Sequence, residues 1–211
     1  MQTNGHNLRQ LTQGLKDVSA PEISPDGRQV VFVAHDDGSS SIWLMGTDGS
    51  NPHAITDSAW NEIDPTWSPN GSQISFAAAR GGYVEIFVSN ADGSDIRQIT
   101  SGNLRIGGRN FWSPDAKKIA FYAGKSSNRD IYTVEVATGS ITRLTKGGNN
   151  TGPCFSPDGR WITFSSSRDG DHEIYVMRSD GTDLRQLTFN QNNDDWQPHW
   201  APGFLIGATS P

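Results

Sequence analysis

The sequence predicts an all-β chain folded as a β-propeller, a wheel of four-stranded antiparallel sheets, and three observations lead there. Ile and Val together number 24 against 12 for Leu and Met, an apolar content that suits strands rather than helices. The string Ser24-Pro25-Asp26-Gly27 returns as Ser68-Pro69-Asn70-Gly71, Ser113-Pro114-Asp115-Ala116 and Ser156-Pro157-Asp158-Gly159, and more weakly as Ala201-Pro202-Gly203, with prolines 44, 45, 43 and 45 residues apart. A second marker keeps the same period: Leu11-Thr12, Ile55-Thr56, Ile99-Thr100, Leu144-Thr145 and Leu187-Thr188.

Each unit divides into four short strands. The first ends in Ile23, Trp67, Trp112, Phe155 or Trp200, just before the Ser-Pro-Asp-Gly turn. In that turn Pro presets φ at one corner and Gly accepts positive φ at the last. The second strand places Val30 with Phe32, Ile74 with Phe76, Ile119 with Phe121 and Ile162 with Phe164, each two residues apart and so on one face. A polar hairpin such as Asp36-Asp37-Gly38 or Arg168-Asp169-Gly170 leads into a third strand carrying Ile42-Trp43, Ile86-Phe87, Ile131-Tyr132 or Ile174-Tyr175. A turn at Asp48-Gly49, Asp92-Gly93, Thr138-Gly139 or Asp180-Gly181 then delivers the fourth strand, which ends at the Leu/Ile-Thr marker. Such a sheet has two apolar faces and cannot bury both alone. Arranged radially, each sheet covers its neighbours and only short edges remain.

The stretches Phe155 to Gly170 and Glu173 to Thr188 resemble the TolB-like propeller repeat, and the resemblance extends over essentially the whole chain. It implies the propeller fold and a periplasmic or secreted bacterial setting. The same repeat serves in binding proteins, in peptidase accessory domains and in some polysaccharide lyases, so the resemblance leaves the function open.

The chain reads as one domain with four complete repeats, about 17–57, 60–101, 105–146 and 149–189. Residues 1–12 align with the end of a third strand and a fourth strand, and 194–211 with a first and second, so the two ends are expected to form a composite fifth blade lacking roughly ten residues. The favoured reading is a five-bladed ring closed by this clasp; the alternative is part of a larger ring, such as the six blades the resemblance implies. An incomplete blade leaves a sheet edge, and self-association through it is expected.

Loops leading into the first strands gather at one mouth of a propeller's channel. Four residues before the position of Pro21 stand Asp17, Asn61, Ile106, Asn149 and Asp194, followed by Val18, Glu62, Gly107, Asn150 and Asp195. Such oxygens suit a cation in the central channel or a polar ligand; they equally cap turns and hold water. The third unit has Asn110 where others have Pro, preceded by Arg105-Ile106-Gly107-Gly108-Arg109. Its two guanidiniums suit a carboxylate on a partner or glycan, or the neutralisation of Glu62, Asp64 or Asp195. Trp60 and Trp196 are candidate aromatic anchors beside these acidic residues. His199 lies on a first strand near the channel.

Other classes are excluded or disfavoured. The net charge of −6 argues against a binder of nucleic-acid backbone. The longest apolar stretches, Val30 to Ala34 and Phe76 to Ala79, are far shorter than the roughly 20 residues of a membrane-spanning helix. No signal-peptide apolar region is read in residues 1–12. There is no Gly-x-Ser-x-Gly, His-Glu-x-x-His, phosphate loop or Gly-x-Gly-x-x-Gly. The single Cys154 reads as a packed residue. The expected function is a non-catalytic scaffold that binds a protein partner through mouth loops, without a resident cofactor. The alternatives are a lyase-like carbohydrate-active enzyme at the mouth and a purely structural propeller fragment or engineered repeat.

Overall fold

The structure, a computed structural model, describes residues 8–57, 60–102, 104–190 and 193–201. They form four sheets of four antiparallel strands, in the order the repeat predicts. The first blade comprises β1 (Asp17–Ile23), β2 (Gln29–Asp36), β3 (Ser39–Gly46) and β4 (His53–Ala54). The second comprises β5 (Ile63–Trp67), β6 (Gln73–Arg80), β7 (Tyr83–Asn90) and β8 (Arg97–Gln98). The third comprises β9 (Ile106–Trp112), β10 (Lys118–Lys125), β11 (Asn128–Glu135) and β12 (Ile141–Arg143), and the fourth β13 (Asn150–Phe155), β14 (Trp161–Ser166), β15 (Glu173–Arg178) and β16 (Arg185–Gln186). Among the described residues there is no helix.

The turns do what their composition dictates. Ser24 Oγ donates to Asp26 Oδ1 at 2.6 Å and accepts the Gln29 N–H at 2.9 Å, and Gly27, with φ of 73°, donates to the Ser24 carbonyl. The same bonds recur at Ser113 with Asp115 and at Ser156 with Asp158. In each case a side chain closes the turn that the proline starts.

The core lies between blades. Val31, Val33, Ile42 and Leu44 of the first blade pack against Trp67, Ile74, Phe76 and Ala78 of the second. Ala77, Ile86 and Val88 of the second meet Trp112, Ile119 and Phe121 of the third, and Ala120 and Ile131 of the third meet Phe155, Ile162 and Phe164 of the fourth. The aromatic residue that ends a first strand also reaches back to the blade before it: Trp112 Nε1 donates to the Thr66 carbonyl at 3.3 Å, and Trp200 Nε1 to the Cys154 carbonyl at 3.2 Å. Segment 193–201 therefore stands to the fourth blade as β9 stands to the second.

The composite blade falls largely on residues 1–7 and 202–211, which lie outside the described residues. Its described parts, 8–12 and 193–201, carry no strand pairing. Leu11, Leu15 and Val18 instead pack over Val30, Phe32, Ala34 and Met45, the outer face of the first blade.

Two tryptophans separate packing from hydrogen bonding. Trp67 Nε1 is buried with no partner among the described residues, whereas Trp112 Nε1 is bonded. Trp112→Phe is expected to cost about 1 kcal/mol more than Trp67→Phe. Urea unfolding of both variants measures the difference; equal losses would remove the inter-blade bond as a source of stability.

Candidate functional site

Each innermost strand breaks register with its neighbour at one place: between Ser19 and Glu22, between Ile63 and Thr66, opposite Phe121 and Ala123, and between Thr151 and Cys154. At these bulges Ala20, Asp64, Gly108 and Gly152 hold left-handed backbone, with φ of 49°, 49°, 102° and 60°. Gln197, before Pro198, has the same signature at 59°. A bulge frees residues from the ladder and re-aims them. Here they border a central cavity of about 230 Å³.

Five segments wall this cavity. One tier holds Ala20, Asp64, Arg109, Gly152 and Gln197, and another Glu22, Thr66, Phe111, Cys154 and His199, with Pro21, Pro65, Asn110, Pro153 and Pro198 between them. Asn110, where a proline would otherwise stand, stitches two blades together: its Nδ2 donates to the Asp64 carbonyl at 3.0 Å, and its Oδ1 accepts from Thr66 Oγ1 at 3.1 Å and Ser75 Oγ at 2.5 Å.

The cavity is electrostatically uneven. Burial pushes the Glu22 carboxyl up to about 7, although its Oε1 accepts the Trp67 N–H at 3.1 Å. Burial also raises Asp64, against the pull of the Arg109 guanidinium. The Cys154 thiol is pushed up to about 11 by burial and is protonated at neutral pH. The His199 ring meets Phe111 edge-on, with centroids 5.9 Å apart. Among the described residues, no three His, Cys, Asp or Glu side chains gather closely enough to hold a metal ion.

Of the residues singled out in the sequence, Asp64, Arg109 and His199 share this cavity. Others serve as latches between blades and loops. Asn61 Oδ1 accepts the Ser40 N–H at 3.2 Å, and Ser40 Oγ donates to the carbonyl of buried Glu62 at 2.9 Å. Asn150, wholly buried, donates to the carbonyls of Arg129 and Gly147 at 3.1 and 2.8 Å and accepts from Arg168 Nη2 at 2.9 Å. Asp194 Oδ1 accepts the His172 N–H at 2.8 Å, and the Asp195 N–H donates to the His172 carbonyl at 2.6 Å.

The remainder stand on or beside the segments that enter the first strands. Asp17 is exposed at the start of β1, paired with His35. Asn149 holds positive φ next to Asn150, and exposed Arg105, also at positive φ, accepts the Gly124 N–H at its carbonyl. Trp60 stacks on Phe87 at 5.3 Å under the Arg80 guanidinium; Trp196 stacks on His172 at 3.7 Å and is 50% exposed. Sequence reasoning passed over Glu22, Thr66, Phe111 and Gln197. Their signal was the position on either side of the repeated proline.

The TolB beta propeller domain matches residues 2–110 and 105–205. The chain belongs to the TolB β-propeller family. A TolB from Agrobacterium tumefaciens is 30% identical, with a TM-score of 0.79 over 92% of this chain and 69% of that one. TolB from Acinetobacter baumannii is 22% identical, with a TM-score of 0.73 over 88% of this chain and 47% of that one, so the chain spans about half of it. An oligogalacturonate lyase in complex with manganese, 14% identical with a TM-score of 0.67 over 84% of this chain and 55% of that one, shares the fold. No curated protein matches the chain.

Glu22 offers a titration to follow. Its folded-state pKa lies above the unfolded value, so the native state holds the proton more tightly. The stabilisation is fully present below the unfolded pKa and is lost as pH rises toward 7. Glu22→Gln keeps an acceptor for Trp67 and is expected to stabilise the protein on the order of 2 kcal/mol at pH 8, with little effect at pH 4. Urea unfolding at both pH values checks this; an equal shift at both would show that Glu22 titrates normally.

Proposed function

We propose that this TolB-family propeller is a non-catalytic scaffold that binds a protein partner at the mouth bordered by Arg105, Asn149 and Asp194, in a bacterial periplasm. The observation that carries this reading is the latching of that mouth. Asn61 on Ser40, Asn150 on Arg129 and Asp194 on His172 hold the segments entering β5, entering β13 and at 193–201 against a neighbouring element. Loops held this way lose little entropy when a partner docks. The cavity behind them supports the same reading: its thiol is held protonated and its most buried acid is bonded to a backbone N–H.

The test is photo-crosslinking in periplasmic extract, with the photoreactive residue placed at Trp196 on the mouth or at Asn70 in the Ser-Pro-Asn-Gly turn at the opposite end of the blades. A discrete protein adduct from Trp196 and none from Asn70 is expected. Equal adducts from both ends would overturn the reading, as would release of an unsaturated uronate from oligogalacturonate, detected by its ultraviolet absorbance.

A further inference from the structure

The mouth is electrically one-sided. On the third blade Arg105 precedes β9, Lys125 ends β10, Arg129 is the second residue of β11 and Lys146 follows β12, with Arg109 in the cavity behind them. The antiparallel order brings these ends to one edge of the sheet: Gly124 donates to the Arg105 carbonyl and pairs with Arg129, and Lys125 pairs with Asn128. Gly147, next to Lys146, donates to Asp130, next to Arg129. Segments 101–109, 124–129 and 146–149 contain no Asp or Glu. Buried Asp130 is engaged by Arg143 at 2.5 Å. Among the described residues the ion pairs within 4 Å involve other cations. The first blade is the reverse, with Asp17, Asp36 and Asp37 around Lys16.

Neighbouring strands lie about 4.8 Å apart, so cations on adjacent strand ends sit within one Debye length of about 8 Å at physiological salt and reinforce one another along the row from β9 to β12. The arginine platform is also stiff. The Arg129 guanidinium lies over the Tyr122 ring at 5.7 Å, and Tyr122 donates to the Gly107 carbonyl at 2.7 Å. A Cβ on Gly107 would stand 1.8 Å from that ring, so only glycine admits the arrangement. A guanidinium held in place loses less freedom on gripping a carboxylate.

We infer that the third-blade sector of the mouth is the docking surface for an acidic segment of a protein partner. The inference rests on the binding role proposed above and names the chemistry of its partner. A long polyanion fits less well, because past the neighbouring second and fourth blades it would run onto the acidic first blade on one side and onto Asp194 and Asp195 on the other. A protein segment can end its acidic tract where the cations end.

Fluorescence anisotropy tests this with a labelled synthetic peptide carrying a terminal tract of Glu, with an oligogalacturonate and single-stranded DNA as separate ligands. The triple variant Arg105→Ala, Lys125→Ala, Lys146→Ala spares the latches. It is expected to weaken peptide binding about tenfold and to flatten its salt dependence, while Lys16→Ala leaves binding unchanged. Unchanged affinity in the triple variant, or tighter binding of the uronate or DNA than of the peptide, overturns the inference. A partner adduct at Trp196 that persists undiminished in the triple variant sinks the charge assignment alone. Loss of that adduct in the unaltered chain sinks the binding role itself.

Discussion

Everything in this structure follows from one constraint: a four-stranded sheet with two apolar faces has nowhere to bury them except against another such sheet. Burial tracks the presence of a neighbour. Trp67, Trp112 and Phe155, each packed on the preceding blade, are 3 to 5% exposed, whereas Ile23 at the same repeat position of the first blade is 61% exposed. The side-chain type is not the cause, since all four are large and apolar. What differs is the described neighbour, and where the first blade lacks one, Leu11 and Leu15 cover part of its face.

The same stacking dictates the polar chemistry of the mouth. Bringing sheets face to face buries the loops between them, and buried amides and carbonyls must find partners. Short side chains from one blade supply them to the next, as Asn150 does for Arg129 and Gly147, and Asn61 for Ser40. Structural necessity therefore uses up most of the Asx residues that sequence alone offers as ligands, and it leaves the mouth rigid. Arg105, Lys125 and Lys146 of the third blade, by contrast, make no ion pair within 4 Å among the described residues.

Near the axis the constraint is geometric. Inner strands crowd together, and the left-handed residues at Ala20, Asp64, Gly152 and Gln197 let each strand turn aside there. That turn carries Glu22, Phe111 and His199 to the cavity wall. An acid placed there loses water without gaining a cation of its own, which is why Glu22 rises toward 7 while Asp26, exposed and bonded by Ser24, is lowered.

How much of this could be read in advance divides along one line. Strand order, turn positions and the period were legible because they are local: Pro sets φ at Ser24-Pro25-Asp26-Gly27, and alternation at Val30 and Phe32 marks a face, whatever lies elsewhere in the chain. Trp67 and Trp112 could be assigned to the core for the same reason. The tier around the axis was not legible, because the bulge that re-aims Glu22 and Asp64 sits at Ala20 and Asp64 rather than at glycines that would announce it. Nor could the sequence distinguish Asn61 and Asn150, committed to latches, from Arg105 and Lys125, left uncommitted. Partners for such a polar group are set by what the neighbouring blade packs against it from about twenty residues away, and only the assembled blades decide that.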